Sequence, residues 1–273
     1  MRIDLTKATF IIPIRIESED RLRNIITVVA FLLETFDTNI LIKEVDTHSV
    51  FEEKAMPILH NIVDVDININ HIFEKSDDKL FHRQRIINEM LMEAKTEVIF
   101  NYDSDVILPL ESYVKSYQSI LDKTFDVVYP YERGNFQKRV YANDEVVSKF
   151  LMTKDYKDLD KYTNISTADA GWVQVFNRDV YIEGGMENEN FKAYAPEDVE
   201  RLHRFTTLGY KVGRIVDFVY HLEHGRSENS WFSNPHMASN VAEWEKIKVL
   251  NKKQLKHYYS RQKYLKKYNH FQI

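Results

Sequence analysis

The 273-residue sequence contains no cysteine and only seven glycines. Without cysteine the chain cannot form disulfide bonds, thiolate nucleophiles or cysteine-ligated zinc sites, which fits a reducing compartment. The first glycine is Gly134, whereas the Walker phosphate loop and the Gly-x-Gly-x-x-Gly dinucleotide turn both need glycine to bring backbone N–H groups onto phosphate. If the N-terminal half binds a nucleotide, a metal ion or basic side chains must therefore neutralise its phosphates.

A long apolar run is also missing. The longest, at about residues 25–33, is far too short to span a bilayer, and the opening residues lack the apolar core and small-residue cleavage site of a signal peptide. Hydrophobic residues make up 44% of the chain and charged residues 29%, which is ordinary for a globular protein with a substantial core. We expect a cytoplasmic protein.

The net charge of −5 hides an acidic body and a basic end. Residues 246–273 contain nine Lys or Arg and no Asp or Glu, interleaved with leucines and tyrosines in the pattern of a basic amphipathic helix. Such a helix could lie on an anionic membrane face or hold an anionic polymer. Alternatively, its aromatic side packs on the domain and its cationic side faces solvent. We expect a domain at 1–245, a basic helical extension at 246–273, and no nucleic-acid partner for the acidic body.

Hydrophobic periodicity predicts an α/β fold. Strand-like and helix-like segments alternate through the first half, which is typical of a mostly parallel sheet with helices on its faces. Functional residues in such sheets lie beyond the carboxyl ends of the strands. The predicted strands are 8–14, 40–45 and 98–102, with helices from Ser18 to about Thr35, at 51–60, and at 79–94 with Asp77 or Asp78 as its cap.

Two groups of residues have metal-binding chemistry. Asp103-Ser104-Asp105 directly follows the third predicted strand, and carboxylates spaced in this way can share a hard divalent cation, although the same residues also suit an acidic turn. His221 and His224 follow a strand-like segment at 211–220 and could bind one metal in a tight turn, or could be a pair of surface histidines.

A helix in the second half begins with acidic residues. Pro196 suits its first turn and Gly209 suits its end, which places Glu197 and Asp198 near its N-terminus. Acidic side chains are favoured there by the helix dipole, at about 0.3–1 kcal/mol each. On their own, these two carboxylates are therefore interpreted as caps.

Taken together, the segments resemble the GT-A fold of nucleotide-sugar glycosyltransferases, specifically the beta-1,4-galactosyltransferase group with its bacterial relatives. The match covers residues 8 to about 247 by motif order. Phe10-Ile11-Ile12-Pro13-Ile14-Arg15 resembles the first strand and uridine-contacting loop, and Phe81 to Asn88 resembles a Phe-x-Arg-x-x-Leu-Leu-Asn helix. Further matches include Asp103-Ser104-Asp105 at the Asp-x-Asp motif, Ala170-Gly171-Trp172-Val173 at Gly-Gly-Val, Tyr194-Ala195-Pro196-Glu197-Asp198 at Trp-Gly-Gly-Glu-Asp, and His224 at the metal histidine.

The resemblance implies roles for ten residues. A divalent metal, Mn²⁺ or alternatively Mg²⁺, would be held by Asp105, His221 and His224. The donor would be contacted by Pro13, Arg15, Arg83, Asp103 and Tyr194, with Arg85 as a further candidate. Asp198 would be the catalytic base and Glu197 would bind a sugar hydroxyl. The segment from Gly225 to His236, which includes Asn229 and Trp231, would form a lid over donor and metal.

The implied activity is that of an inverting hexosyltransferase in polysaccharide biosynthesis. It would move galactose or N-acetylgalactosamine, or a related hexose or N-acetylhexosamine, from a UDP-sugar to a hydroxyl of a saccharide or lipid-linked acceptor. The basic extension would suit peripheral contact with the inner membrane face. Tyr194, Ala195-Pro196 and Val199 depart from the family pattern, so the acceptor is not carried over. The alternatives are a metal-dependent sugar nucleotidyltransferase and a non-catalytic sugar-nucleotide-binding protein.

Overall fold

The structure, a computed structural model, describes residues 2–167, 170–227, 229 and 234–268. The strands are β1 (Ile3–Ile14), β2 (Phe36–Asp46), β3 (Ile69–Lys75), β4 (Val98–Tyr102), β5 (Val106–Ile107), β6 (Val127–Tyr129), β7 (Gln137–Val140), β8 (Thr163–Ser166), β9 (Val173–Asn177), β10 (Val212–Arg214) and β11 (Val219–Leu222). The helices are α1 (Glu19–Thr35), α2 (Met56–Ile62), α3 (Arg83–Glu93), α4 (Leu110–Leu121), α5 (Asp144–Thr153), α6 (Lys157–Asp160), α7 (Arg178–Glu183), α8 (Glu197–Leu208), α9 (Met237–Ile247) and α10 (Lys252–Ser260). A π-helical turn at Phe51–Ala55 leads into α2, and a 3₁₀ turn at Leu265–Tyr268 follows α10.

The large sheet has the order β10-β6-β9-β4-β1-β2-β3 in the described chain. Strands β4, β1, β2 and β3 are mutually parallel, and β9 runs antiparallel between β4 and β6. The central strands are almost fully buried, and Phe10 of β1 stacks on Phe100 of β4 at a ring-centroid distance of 4.3 Å. Burial on both faces is typical of parallel sheets covered by helices. The predicted α/β architecture with a mostly parallel central sheet is confirmed.

A small second sheet has the order β5-β11-β7-β8. Its two-residue strand β5 pairs antiparallel with β11, so that Val106 lies opposite His221. The backbone N–H of Leu222 donates to the carbonyl of Asp105 at 2.7 Å. This short ladder therefore fixes the chain leaving β4 against the end of β11, although 116 positions of sequence separate Asp105 from His221.

Several predicted boundaries match the structure. Ser18 is the N-cap of α1, where its side chain accepts from the N–H of Arg21. Strand β4 covers the predicted residues 98–102. Helix α8 begins after Pro196, and Gly209 ends it with φ +88°, a left-handed conformation that glycine adopts without steric cost.

Two predicted segments are wrong, and one strand of the structure has no counterpart among the predictions. The helix predicted from residue 79 begins at Arg83, because Asp78 accepts from the N–H of Leu80 in a turn instead of capping a helix. Strand β3 was not expected, since its polar and apolar residues alternate irregularly at the sheet edge. The single strand predicted at 211–220 is two strands in different sheets, β10 and β11, because the chain turns at Asp217.

The described part of the basic C-terminal segment packs on the rest of the chain. Leu255, Tyr258 and Tyr259 of α10 are buried, and the Tyr259 hydroxyl donates to Glu200 of α8 at 2.5 Å. All nine Lys and Arg of the segment are exposed. This matches the interpretation in which the aromatic side packs inward and the cationic side faces solvent. The division at residue 245 stays a prediction, and α9 runs across it.

In the part of the chain that the structure describes, no helix combines the length and the apolar character that crossing a membrane requires.

Candidate functional site

A cavity of about 340 Å³ opens where the parallel strands β1 and β4 end, and all ten predicted site residues line it. Strand β9 is antiparallel to β4, so the loop that precedes it, Gly171-Trp172, reaches the same edge. Helix α8 contributes its N-terminus, and β11 contributes its C-terminal end. Glu17 and Arg21 also line the cavity and were not among the predicted site residues, and Arg226 lines it from the predicted lid segment. The ten predicted residues are Pro13, Arg15, Arg83, Asp103, Asp105, Tyr194, Glu197, Asp198, His221 and His224.

Asp105, His221 and His224 form a candidate metal centre. Nε2 of His224 lies 3.1 Å from Oδ2 of Asp105, and Nε2 of His221 lies 3.6 Å from Oδ1. One potential ligand atom from each residue lies within 4.8 Å of the others. Because β5 and β11 form adjacent ladder strands, the backbone itself brings these three side chains together.

The electrostatics of this trio suit a cation. Oδ1 of Asp105 is buried and has no hydrogen-bond partner in the described chain. Burial opposes ionisation of Asp105, but His221 and His224 lower its pKa to about 2. One carboxylate and two imidazoles are a donor set that divalent manganese and related metals accept, so the residues fit a divalent metal ion.

The loop beside His221 has an unusual backbone. Gly171 has φ +120° and Trp172 has φ +56°, and the Trp172 ring stacks on His221 at 5.6 Å. The Gly171 carbonyl accepts from the Tyr131 hydroxyl at 2.9 Å and from the Gln174 side chain at 2.7 Å. These bonds hold Trp172 against the candidate metal centre, because they fix the peptide group that joins the two positive-φ residues.

Asp103 and Arg83 interact directly with each other. The guanidinium of Arg83 donates to Oδ1 of Asp103. Burial raises the pKa of Asp103, and the charge of Arg83 opposes that rise. The Asp-Ser-Asp segment thus presents two different carboxylates, because Asp103 is paired with an arginine and Asp105 faces two histidines.

Asp198 lies at the N-terminus of α8, where it contacts both a buried arginine and the Gly171 loop. Nη1 of Arg201 donates to its Oδ1 at 2.8 Å, and a Cβ added at Gly171 would lie only 3.0 Å from its Oδ2. Glycine at 171 is therefore what allows the carboxylate to approach the loop. Neighbouring Glu197 is buried, and burial together with the charge of Asp198 raises its pKa well above the usual range.

Arg201 is part of a buried ionic network that the sequence analysis missed. Its Nε and Nη2 donate to the two carboxylate oxygens of Glu187 at 2.7 and 2.8 Å, and Nη1 also donates to Gln174 at 2.8 Å. The i, i+3 spacing of Asp198 and Arg201 on one helix was a usable signal for their contact. Nothing in the local sequence around Glu187 indicates that it contacts α8.

The donor-side predictions have mixed outcomes in the structure. Arg15 lines the cavity while its Nε and Nη1 donate to the carbonyls of Val45 and Lys79 at 2.8 and 3.1 Å. Arg85 is not among the residues that line the cavity in the described chain, since it pairs with Glu74 at 2.7 Å and with Glu89 at 2.9 Å. The predicted contact of Arg85 with donor is therefore not favoured.

An adjoining cavity of about 430 Å³ shares Arg15, Glu17 and Asn229 with the first. It lies beyond the ends of β2 and β3 and is lined mainly by polar residues. Asn229 of the predicted lid accepts from the N–H of Phe81 at 3.0 Å. Trp231, also predicted in the lid, lies outside the described residues. The other lining residues are Ile16, Asp46, Thr47, His48, Val50, Ser76, Asp77, Asp78 and Lys79.

The similarity of this chain to known proteins lies in its fold. No family model and no curated protein matches the sequence. The fold is similar to that of a solved mannosyltransferase. That structure, PcManGT from Pyrobaculum calidifontis in complex with GDP-Man and Mn²⁺, matches with a TM-score of 0.50 and 13% sequence identity. The match covers 94% of this chain and 64% of that protein's length. It supports a glycosyltransferase-like α/β fold and does not extend to the beta-1,4-galactosyltransferase group.

Proposed function

We propose that this protein is a metal-dependent glycosyltransferase that moves a sugar from a nucleotide-sugar donor to a hydroxyl of a saccharide or lipid-linked acceptor. One observation carries the proposal. The trio Asp105, His221 and His224 and the carboxylate of Asp198 line a single cavity, although they come from separate parts of the chain. This combination meets both requirements of sugar transfer, a site for the departing diphosphate and a base for the acceptor.

The metal role is assigned to Asp105, His221 and His224. A divalent cation held there, Mn²⁺ or alternatively Mg²⁺, would supply the Lewis-acid charge that stabilises a departing diphosphate. The chain has no glycine before Gly134, so backbone amides of a glycine-rich loop are not available in its first half for that task. Arg21 and Arg226, which also line the cavity, add positive charge on the same side.

The base role is assigned to Asp198. Arg201 holds its carboxylate in one orientation, so that the group can accept the proton of an acceptor hydroxyl during attack on the anomeric carbon, with inversion. Glu197, whose pKa is raised well above its usual range by burial and by the charge of Asp198, is assigned to bind a sugar hydroxyl beside the base. Tyr194 offers a half-exposed ring at the rim for the C–H face of a sugar.

The donor nucleoside is assigned to the edge formed by Pro13 and Arg15, with the adjoining cavity as additional room. Ligands of open α/β sheets bind beyond the carboxyl ends of the strands, and this region follows the ends of β1, β2 and β3. UDP-galactose and UDP-N-acetylgalactosamine remain our predicted donors. GDP-mannose is included as a second donor to test, because the similar mannosyltransferase was solved with it.

The test is a thermal-shift panel of nucleotide sugars with and without Mn²⁺. A true donor raises the melting temperature by mass action, and the proposal predicts that this rise depends on the metal. Failure of every nucleotide sugar to shift the transition contradicts the proposal. Product analysis then separates the alternatives. A glycosyltransferase releases a nucleoside diphosphate from the nucleotide sugar and an acceptor, whereas a nucleotidyltransferase releases pyrophosphate from a nucleoside triphosphate and a sugar phosphate. A binding protein releases neither.

Peripheral membrane contact through the basic segment also remains a proposal. Deleting the segment would remove the buried side chains of Leu255 and Tyr259, so a loss of membrane binding could not be distinguished from a loss of folding. Changing the exposed Lys252, Lys253 and Lys256 to Gln removes charge alone. We expect this triple variant to lose sedimentation with anionic vesicles at low salt, and unchanged sedimentation contradicts the contact.

A further inference from the structure

A half-buried ion pair lies directly behind His221. Nδ1 of His221 is 2.8 Å from Oε1 of Glu223. Nε and Nη2 of Arg139 donate to the two oxygens of the same carboxylate, each at 2.7 Å. Arg139 is on β7, which pairs with β11 in a register that sets Arg139 opposite His221. The sheet therefore holds Arg139, and Arg139 holds Glu223.

This contact determines which nitrogen of His221 faces the cavity. A neutral imidazole carries one N–H and one lone pair. Because an ionised carboxylate only accepts, the hydrogen bond from His221 to Glu223 keeps the proton on Nδ1. The lone pair is then on Nε2, the nitrogen that faces Asp105 at 3.6 Å.

A backbone carbonyl orients His224 in the same way as Glu223 orients His221. Its Nδ1 lies 2.7 Å from the carbonyl oxygen of Gly225, which also only accepts, and its Nε2 faces Asp105 at 3.1 Å. Both imidazoles thus direct Nε2 toward one carboxylate. The two acceptors differ in charge, since Glu223 is anionic and the carbonyl is neutral, so the stronger effect is expected at His221.

We infer that Glu223, anchored by Arg139, is a positioning residue that fixes His221 in the tautomer and orientation required to bind a divalent metal. The inference rests on the metal site of the proposed function. Glu223 itself is not expected to be a ligand, because both of its oxygens are already held by Arg139 and one of them by His221. Outer-shell carboxylates of this kind orient histidine ligands and raise their basicity.

The experiment is a Mn²⁺ titration of the full chain, followed by the electron paramagnetic resonance signal of free Mn²⁺. Glu223→Gln is expected to weaken Mn²⁺ binding by about 10–100-fold, because the amide has no charge and can donate to Nδ1. Lys138→Gln is the matched control. Lys138 is the neighbour of Arg139 on β7, and its ammonium group pairs with Asp160 at 2.5 Å. Removing this cation is expected to leave Mn²⁺ affinity unchanged.

A second readout separates positioning from a merely structural role. In the metal-free protein, above the pH at which His221 is charged, its ring-nitrogen NMR shifts should report the Nδ1–H tautomer in the wild type and a mixture in Glu223→Gln. Unchanged Mn²⁺ affinity and an unchanged tautomer in folded Glu223→Gln overturn this inference but not the proposed metal site. A wild type that does not bind Mn²⁺ overturns the metal site of the proposed function as well.

Arg139→Gln provides the test if Glu223→Gln does not fold. This variant keeps the carboxylate and removes its anchor, so Mn²⁺ binding should weaken by a smaller factor, up to about tenfold. An affinity equal to that of Lys138→Gln would contradict the inference.

Discussion

The two walls of the cavity are built in different ways. On the metal wall, Asp105 and His221 come from two short paired strands, and the supporting ion pair of Arg139 and Glu223 has side-chain exposures of 37% and 10%. On the base wall, Asp198 is held by a helix whose Arg201 is 1% exposed and bonded to the equally buried Glu187. The first wall is held mainly by backbone pairing and the second by buried charge.

The two walls also differ in whether a ligand is needed to complete them. Oδ1 of Asp105 is buried without a hydrogen-bond partner in the described chain, so the metal wall has an acceptor that a cation would satisfy. Asp198 already has a charged donor in Arg201, so the base wall is oriented by the protein alone. Preorganised groups of this kind need no rearrangement when the substrate binds.

The largest expected effect is on catalysis at the base wall. Asp198→Asn removes the proton acceptor while keeping the shape of the side chain, so transfer should fall by about 10²–10⁴-fold. Release of nucleoside diphosphate from the donor identified by the thermal-shift panel measures this rate. Mn²⁺ affinity should stay at the wild-type value, and normal transfer by this variant would show that Asp198 is not the base.

The next effect concerns the arginines that support the two walls. Arg201→Gln leaves the charge of Glu187 buried without its bidentate partner, which should cost about 3–5 kcal/mol of unfolding free energy. The matched change Arg139→Gln, at a more exposed pair, should cost about 1 kcal/mol or less. Urea denaturation of both variants measures the difference, and equal losses would mean that burial does not distinguish the walls.

The smallest expected effect tests the close approach between the Gly171 loop and Asp198. Gly171→Ala and Gly134→Ala both put a side chain at positive φ, and each should cost about 1–2 kcal/mol. Only at Gly171 does the new Cβ meet the Asp198 carboxylate, whereas it meets no atom within 4 Å at Gly134 in the described chain. Activity should therefore drop about tenfold or more in Gly171→Ala alone. Equal activity in the two variants would show that the close approach of the Gly171 loop to Asp198 has no role in transfer.

Much of the fold could be predicted because its signals are local. The buried strand at 98–102 is an apolar run, interrupted by Asn101, directly before Asp103, and Ser18 followed by acidic residues marks the start of α1. Strand β3 could not be predicted in this way. Its polar residues and half-buried edge position leave no clean alternation, and pairing with β2 is what makes it a strand.

The cavity residues could be predicted from motif order, but the residues that support them could not. Arg139 and Glu223 are 84 positions apart, and either residue alone has the signature of a surface charge. The pairing of Arg201 with Glu187 is similar in this respect, because a buried charge is recognised only when its partner is known, although the spacing of Arg201 from Asp198 was a local signal for that one contact. The missed residues therefore share one property, namely that tertiary pairing rather than local pattern sets their role.

The central claim is that Asp105, His221 and His224 form one divalent-metal site, and Mn²⁺ titration of wild type, Asp105→Asn and Asp198→Asn tests it most directly. The account predicts saturable binding to the wild type and to Asp198→Asn with equal affinity. Loss of an outer-shell partner weakens metal binding by about 10–100-fold. Asp105→Asn removes a ligand itself, so it should weaken Mn²⁺ binding by a larger factor. Binding by Asp105→Asn as tight as that of the wild type would contradict the account.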